Sequence, residues 1–289
     1  MMFKNLTVYQ TPRHWLPPTI TQGLFQPCGA FQNETFGWVS PREDGDLMPV
    51  VGGQAMLALR REKRLLPASV ITAHVKKMAA DIEAQQGFKP GRRQMRDLKE
   101  QAIDNLTPKA FCVQQTTNVW IDPVHGRLCV DTANASRAEQ VIEHLFASLE
   151  PFTIIPTLLR KSCAEGMREW LTNEDGLECF TVDRDCTLRG LDRNEIKYVN
   201  EPLGDAVRAQ MEAGKRPTKL ALTYDDRVSF MLNEQFGFSR IELLNITRGH
   251  DNAEQSADQK FDSDFTLMSG ELSLLIHATA EALGGFISE

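Results

Sequence analysis

Residues 111–131, FCVQQTTNVWIDPVHGRLCVD, read as two strands joined by a bend. Phe111 to Ile121 is rich in the β-branched and aromatic residues that suit a pleated surface. Asp122-Pro123-Val124-His125-Gly126 then supplies a short polar side chain, a proline and a glycine, and Arg127 to Asp131 resumes the apolar run. Directly after it, Ser136-x-x-Glu139 has the form of a capping box for a helix carrying Val141, Ile142, Leu145, Phe146 and Leu149 on one face. A hairpin with one face covered by the following helix is α+β packing, and the rest of the chain fits that class.

Working towards the N-terminus, strands are expected at Phe3 to Tyr9, around Pro27-Cys28-Gly29, at Phe36 to Val39 and at Gln54 to Leu59, forming antiparallel sheet. Ser69 stands as N-cap of a helix whose Ile71, Val75, Met78 and Ile82 recur at the helical period. Gly87 to Gly91 breaks it, and a second helix from Arg92 to Leu106 places Met95, Leu98, Ala102 and Leu106 on one face, so residues 69–107 read as a helical hairpin. Towards the C-terminus come a strand at Thr153 to Leu159 and a helix at Cys163 to Leu171 with Trp170 inward. Strands at Glu178 to Val182 and Ile196 to Val199 precede a helix at Gly204 to Glu212. A meander follows, Lys219 to Tyr224, a turn at Asp225-Asp226, Arg227 to Leu232 and Ser239 to Leu244. Asp251 to Asp258 reads as a mobile polar loop. The closing helix from Asp264 to Leu283 buries Phe265, Met268, Leu272, Ile276 and Leu283, is capped by Asp264 and stops at Gly284-Gly285.

The chain of 289 residues carries a formal charge of −7, which at face value opposes binding to a polyanion. Distribution matters more than the sum. Between Arg60 and Lys109 there are 12 Lys and Arg against 6 Asp and Glu, a local +6, whereas residues 250–289 hold eight acids and a single base, Lys260. Arg92, Arg96 and Lys99 recur at i, i+4 and i+7 on the second helix, opposite its apolar stripe, and like charges so placed repel unless an anion lies against them. Arg93 and Lys89 extend the ridge, and Lys76 and Lys77 lie on the partner helix. A solvated face with Glu100 and Asp104 as local partners is the plain alternative.

Other chemistry finds little footing. The cysteines (28, 112, 129, 163, 179 and 186) contain no C-x-x-C pair, and the six histidines are scattered. Both sets read as structural, with no metal and no cofactor. Gly214-Lys215-Arg216 lacks the first glycine of a phosphate loop, since Ala209 stands there, and Arg216 replaces its Ser or Thr. No nucleophile elbow, zincin or helix-turn-helix pattern occurs. Asp262, Asp264 and Glu271 offer carboxylates for magnesium, which keeps a magnesium-dependent nuclease as the alternative activity, although acids at a helix start also complement its dipole. A third class, a protein-interaction module using the acidic C-terminal segment, also stays open. The N-terminus has no secretory signal pattern and no stretch is apolar for long enough to span a bilayer, so a cytoplasmic protein without membrane partners is expected.

Several separated stretches, in order along nearly the whole chain, resemble the recombination-associated protein RdgC family of proteobacteria. They include Phe3-Lys4-Asn5-Leu6-x-Val8-Tyr9, Pro27-Cys28-Gly29, Gly37-Trp38-Val39-x-Pro41, Glu62-Lys63-x-Leu65-Leu66-Pro67 and Pro108-Lys109-Ala110-Phe111. Further on come Trp120-Ile121-Asp122, Glu212-Ala213-Gly214-Lys215, Thr218-Lys219-Leu220-Ala221-Leu222, Leu283-Gly284-Gly285 and a long match over 261–272, Phe261-Asp262-x-Asp264-Phe265-x-Leu267-Met268-x-Gly270-Glu271-Leu272.

The resemblance implies horseshoe-shaped subunits, each with a protruding helical hairpin, closing as a homodimer into a ring around double-stranded DNA, with single-stranded DNA as a second ligand. It also implies a nucleoid-associated, non-enzymatic protein that limits access of the strand-exchange recombinase and so modulates DNA recombination and replication-fork repair. The division it implies is a central α+β domain of residues 1–68 and 112–160, a helical tip region of 69–111 and a C-terminal base domain of 161–289. The tip matches the family's subunit contact, with Phe111 at the aromatic position and Lys109 at a basic one. The DNA-binding set is then Lys76, Lys77, Lys89, Arg92, Arg93, Arg96, Lys99 and Lys109. Two departures stand out. Val199-Asn200-Glu201-Pro202 lacks the basic and amide residues of the base-side contact, and the chain is shorter than typical relatives, with residues 22–49 altered.

Overall fold

A computed structural model describes residues 3–18, 20–42, 45–149, 152–155, 157–173, 178–244 and 256–287. Their architecture is α+β, an open antiparallel sheet with six helices among the described residues. The chain divides into two compact units. Unit 1 takes residues 1–20, 40–57 and 117–289, and unit 2 takes 21–39 and 58–116.

In unit 1, β1 (Leu6–Gln10) lies between β6 (Arg127–Val130) and β11 (Gly237–Leu243). From β11 the order continues through β10 (Val228–Asn233), β9 (Arg216–Tyr224), β7 (Phe180–Arg189) and β8 (Glu195–Tyr198). On the other side, β6 pairs with the end of β5 (Cys112–Asp122), with Val119 opposite Val130 and Asp122 opposite Arg127. The hairpin expected at 111–131 therefore forms only at its turn end, Val119–Asp122 against Arg127–Val130, while the first half of β5 belongs to unit 2. Its bend is held by Asp122, whose fully buried carboxylate accepts from the backbone N–H groups of Val124 and His125. Gly126 closes it at φ +64°, where a Cβ would stand 2.6 Å from the Thr11 carbonyl oxygen, so only glycine fits. The β9–β10 turn falls at Asp225 and Asp226 (φ 48° and 51°), the left-handed pair of a tight hairpin.

The core of unit 1 joins Leu6, Trp120, Leu188, Leu222 and Phe238 of the strands to Met167 and Trp170 of α4 (Cys163–Thr172). Val207 and Met211 of α5 (Asp205–Glu212) and Phe265, Met268, Leu272, Ile276 and Leu283 at α6 (Ala257–Ala282) complete it. All five residues expected inward at the last helix are at most 2% exposed.

Several local expectations are corrected. α6 begins at Ala257 under a Ser256–Gln259 capping box, so Asp264 is interior to the helix and caps nothing, and residues 256–258 are helix start rather than loop. Most of the loop expected at 251–258 lies outside the described residues. α3 (Ala135–Ser148) is capped by Asn134, whose side chain accepts from the Arg137 N–H, in place of Ser136. On its supposed inner face Phe146 is half exposed and stacks on Phe152, which stacks in turn on Trp15. Among the described residues, the strand expected at Thr153 to Leu159 is reduced to the isolated bridges Gln10–Ile155 and Leu159–Phe286. β7 extends to Arg189 because its register shifts between Val182 and Cys186, which absorbs the charged Asp183-Arg184-Asp185.

Unit 2 holds β2 (Glu34–Val39), the second half of β4 (Gln54–Arg64), the first half of β5, and the helices α1 (Ala68–Gln86) and α2 (Arg92–Leu106). β2 pairs antiparallel with β4, Gly37 opposite Arg60, and β5 follows β4 in order. The two-residue β3 (Val50–Val51) folds back on the start of β4, within unit 1.

Candidate nucleic-acid interface

The helices of unit 2 are set by their punctuation. Pro67, in extended conformation, precedes α1 as its N-cap, so Ser69 is already inside the helix and does not cap it. Gly87 ends α1 in the left-handed conformation with its N–H on the Glu83 carbonyl, and Gly91 opens α2. Val75, Leu98 and Ala102 are the buried contact between the helices, with Ile71, Met78 and Ile82 packed around them. Met95, expected in the same stripe, is 36% exposed.

At 100° per residue Arg92, Arg96 and Lys99 fall within a sector of about 60° on α2. That sector lies roughly a quarter-turn from Leu98 and Ala102, beside the apolar stripe rather than opposite it. The opposite face carries Arg93, Asp97, Glu100 and Asp104. Arg92, Arg93, Arg96 and Lys99 are all exposed, as are Lys76 and Lys77 of α1, Lys89 in the connection and Lys109 in the 3-10 turn Thr107–Lys109. Arg96 pairs with Glu100 at 3.3 Å across strongly exposed side chains, a contact worth little in water. Among the described residues none of the other seven forms an ion pair. The first turn of α2 contains two arginines and no acid, the wrong sign for the positive end of a helix dipole unless an anion is near. Arg92, Arg96 and Lys99 span about 10 Å of the N-terminal half of α2, whose second half carries no cation, and Lys109 follows beyond its C-terminal end.

The neighbouring basic residues have other uses. Arg61 pairs with Glu34 at 2.7 Å and lies over the Phe36 ring, and Arg60 lies over Phe25. Arg64 donates to the carbonyls of Gly29, Gln32 and Ala110. Phe111, one residue before β5, is 85% exposed and Leu65, whose N–H donates to the Phe111 carbonyl, is 53% exposed. Phe111 is therefore not a core residue of the strand.

The three carboxylates proposed for magnesium are not gathered. Asp262 pairs with Arg42 at 2.9 Å, and Glu271, buried, pairs with Arg227. The one three-residue group of metal-ligand type among the described residues is elsewhere, at Cys28, Glu62 and Cys112. No spacing signal announced it. Asp122, His125 and Ser273 also meet, but Ser273 Oγ and Asp122 Oδ2 approach the same nitrogen, His125 Nδ1, at 3.3 and 2.6 Å. A serine nucleophile needs the base nitrogen remote from the orienting carboxylate, so this contact anchors the bend instead. Cys129, Cys163 and Cys186 are buried, and burial pushes their thiols up to about 12, 11 and 12. They act as small apolar residues, whereas Cys28, Cys112 and Cys179 are not buried.

The family model described as "Putative exonuclease, RdgC" matches residues 1–286. The chain belongs to the RdgC family. It is 42% identical to the recombination-associated protein RdgC of Dechloromonas aromatica (strain RCB), the alignment covering 100% of this chain and 99% of that protein. It is 40% identical to the RdgC protein of Janthinobacterium sp. (strain Marseille) over the whole of both chains, and 39% identical to that of Cupriavidus necator over 99% of each. These alignments run over 304, 299 and 295 positions against the 289 residues of this chain, so the shortening expected from sequence is small. Among the described residues no helix of this RdgC chain is long and apolar enough to cross a membrane.

Proposed function

We propose that this chain binds duplex DNA without reading its sequence, as a homodimer of horseshoe-shaped protomers closing into a ring, and modulates recombination and fork repair by limiting recombinase access. The observation that carries the reading is the solvated basic strip of α2, where Arg92, Arg96 and Lys99 share one sector with Glu100 as their sole ion-pair partner among the described residues. Long exposed cations without fixed partners are what phosphate contact requires, and such contacts position a protein on a duplex without conveying sequence. Membership of RdgC, and the recombination-associated name its relatives carry, support the cellular side.

In this reading residues 69–111 form the tip where protomers meet and Phe111 is the contact, since an aromatic left 85% exposed gains about 1.5–3 kcal/mol when a second surface covers it. Residues 1–68 with 112–160 form the centre and 161–289 the base. Single-stranded DNA engages the same cations with fewer phosphates in register.

Binding measured on several unrelated duplexes tests the proposal. The Arg92→Glu, Arg96→Glu, Lys99→Glu triple variant loses affinity equally for all of them. Wild-type affinity in that variant contradicts it. Labelled duplex and single strands incubated with magnesium yield no product on this reading. Cleavage abolished by Asp264→Ala would replace it with the nuclease.

A further inference from the structure

Three potential ligands meet at one point of unit 2. The Sγ atoms of Cys28 and Cys112 and a carboxylate oxygen of Glu62 all lie within 4.8 Å of one another. Cys28 sits in the loop before β2, Glu62 in β4 and Cys112 at the start of β5. Arg64 fixes both thiol-bearing segments from between, holding Gly29 and Gln32 beside Cys28 and Ala110 two residues before Cys112. Chain segments brought together by a dedicated clamp form a preorganised cluster rather than a chance encounter of mobile side chains.

Glu62 is only 5% exposed, and its carboxylate has no ion-pair partner among the described residues. Neutral donors hold it, the Gln114 side-chain amide at 2.7 Å on Oε2, the Cys28 N–H at 2.7 Å on Oε1 and, besides these, the Cys28 and Cys112 thiols. These hydrogen bonds, that of Gln114 first, hold its carboxyl below the ordinary range. A carboxylate has about four lone-pair sites, so the Gln114 and Cys28 N–H bonds survive while a further lone pair faces the thiols. Arg64, the nearby cation, already has three carbonyls to satisfy. A buried carboxylate without a cation is costly, and a site that adds two thiols to it selects for a soft positive ion.

We propose that Cys28, Glu62 and Cys112 form a binding site for zinc or a similar thiophilic divalent ion, with two thiolates and one carboxylate as ligands and a fourth position open to solvent beside the exposed Cys112. Zn–S bonds of about 2.3 Å and Zn–O bonds of about 2.0–2.2 Å put these ligand atoms some 3.5–3.8 Å apart in a tetrahedron, so atoms already within 4.8 Å of one another need to close by little more than about 1 Å at most. Binding releases the two thiol protons to solvent. The three ligand charges of −3, the ion's +2 and the Arg64 guanidinium then sum to zero. Gln114 remains on the second carboxylate oxygen and orients it, the usual role of an outer partner.

The test uses the full chain under a phosphine reductant, titrated with Zn2+ against a chromophoric chelator. One equivalent binds per chain in the wild type. Cys28→Ser and Cys112→Ser each weaken it at least about tenfold, and Gln114→Ala weakens it by about tenfold with all ligands present. Zinc also slows alkylation of Cys28 and Cys112 while leaving the exposed Cys179 reacting at its original rate, an internal control that reads the site without any variant. Cobalt in place of zinc gives a thiolate-to-metal charge-transfer band that both serine variants lose. Uptake unchanged in the Cys28→Ser, Cys112→Ser double variant overturns the proposal, as does a wild type that binds no zinc or whose Cys28 and Cys112 alkylate equally fast with and without it.

Discussion

Phe111 keeps 85% of its surface accessible although β5 starts at the next residue. Converting it to Asp removes the apolar anchor of the proposed protomer contact without touching the core. We expect sedimentation equilibrium to find Phe111→Asp monomeric at concentrations where the wild type is a dimer, with an unchanged circular dichroism spectrum; an equally tight variant dimer removes Phe111 from the interface. The sequence could not distinguish this position from a core one, because an aromatic at a strand start suits either and exposure depends on what the neighbouring elements cover. The same limit hid the Cys28–Glu62–Cys112 cluster, whose members come from three separate segments, and it hid the use of Arg60, Arg61 and Arg64. Their side chains read as part of a basic run, yet they are spent on rings, Glu34 and carbonyls. By contrast Asp122 and Gly126 were readable as a bend because an Asx-type acceptor and a left-handed φ are local requirements.

Elements followed the same division between local and distant causes. Strong periodicity located α1, α2, α4, α5 and the buried half of α6 to within a few residues, and alternation with turn chemistry located β9, β10 and β11. Helix starts failed where more than one residue could cap. Ser136 lost to Asn134, and Asp264 lost to Ser256, because the first two turns of α6 offer a single large apolar residue, Phe261, four before Phe265, among polar ones. The box on α4 is a measurable case. Ser162 accepts from the Glu165 N–H while the Glu165 carboxylate accepts from the Ser162 hydroxyl and N–H, which holds Glu165 below its ordinary value of 4.5. A depressed carboxylate contributes stability that is complete above about 4.5 and is lost as pH falls through its folded value. Glu165→Gln keeps acceptor capacity but cannot titrate, so its melting temperature falls less steeply than the wild type's between pH 5 and pH 3, measured by circular dichroism. Parallel curves would mean that Glu165 is not part of the acid response.

Charge and chain division coincide at the scale of the molecule. Unit 2 holds 12 Lys and Arg against 7 Asp and Glu, and unit 1 holds 20 against 32, so a chain of net −7 contains a unit of +5 and a unit of −12. Composition alone argued against a polyanionic partner. Position along the sequence argued for one, and α2 carries exposed cations of the kind the proposed phosphate contact uses. The helical period alone already puts Arg92, Arg96 and Lys99 in a sector beside the helix contact rather than opposite it; what sequence could not supply is that all three are exposed, with Glu100 as their sole ion-pair partner among the described residues. The measurement that tests the account most directly is the salt dependence of duplex affinity, taken as the slope of log K against log salt for the wild type and for Arg92→Glu, Arg96→Glu, Lys99→Glu. Each phosphate neutralised contributes about −0.9 to the slope. The account predicts a steep wild-type slope that flattens by about 0.9 for every contact the variant loses. A variant slope equal to the wild type's would contradict it.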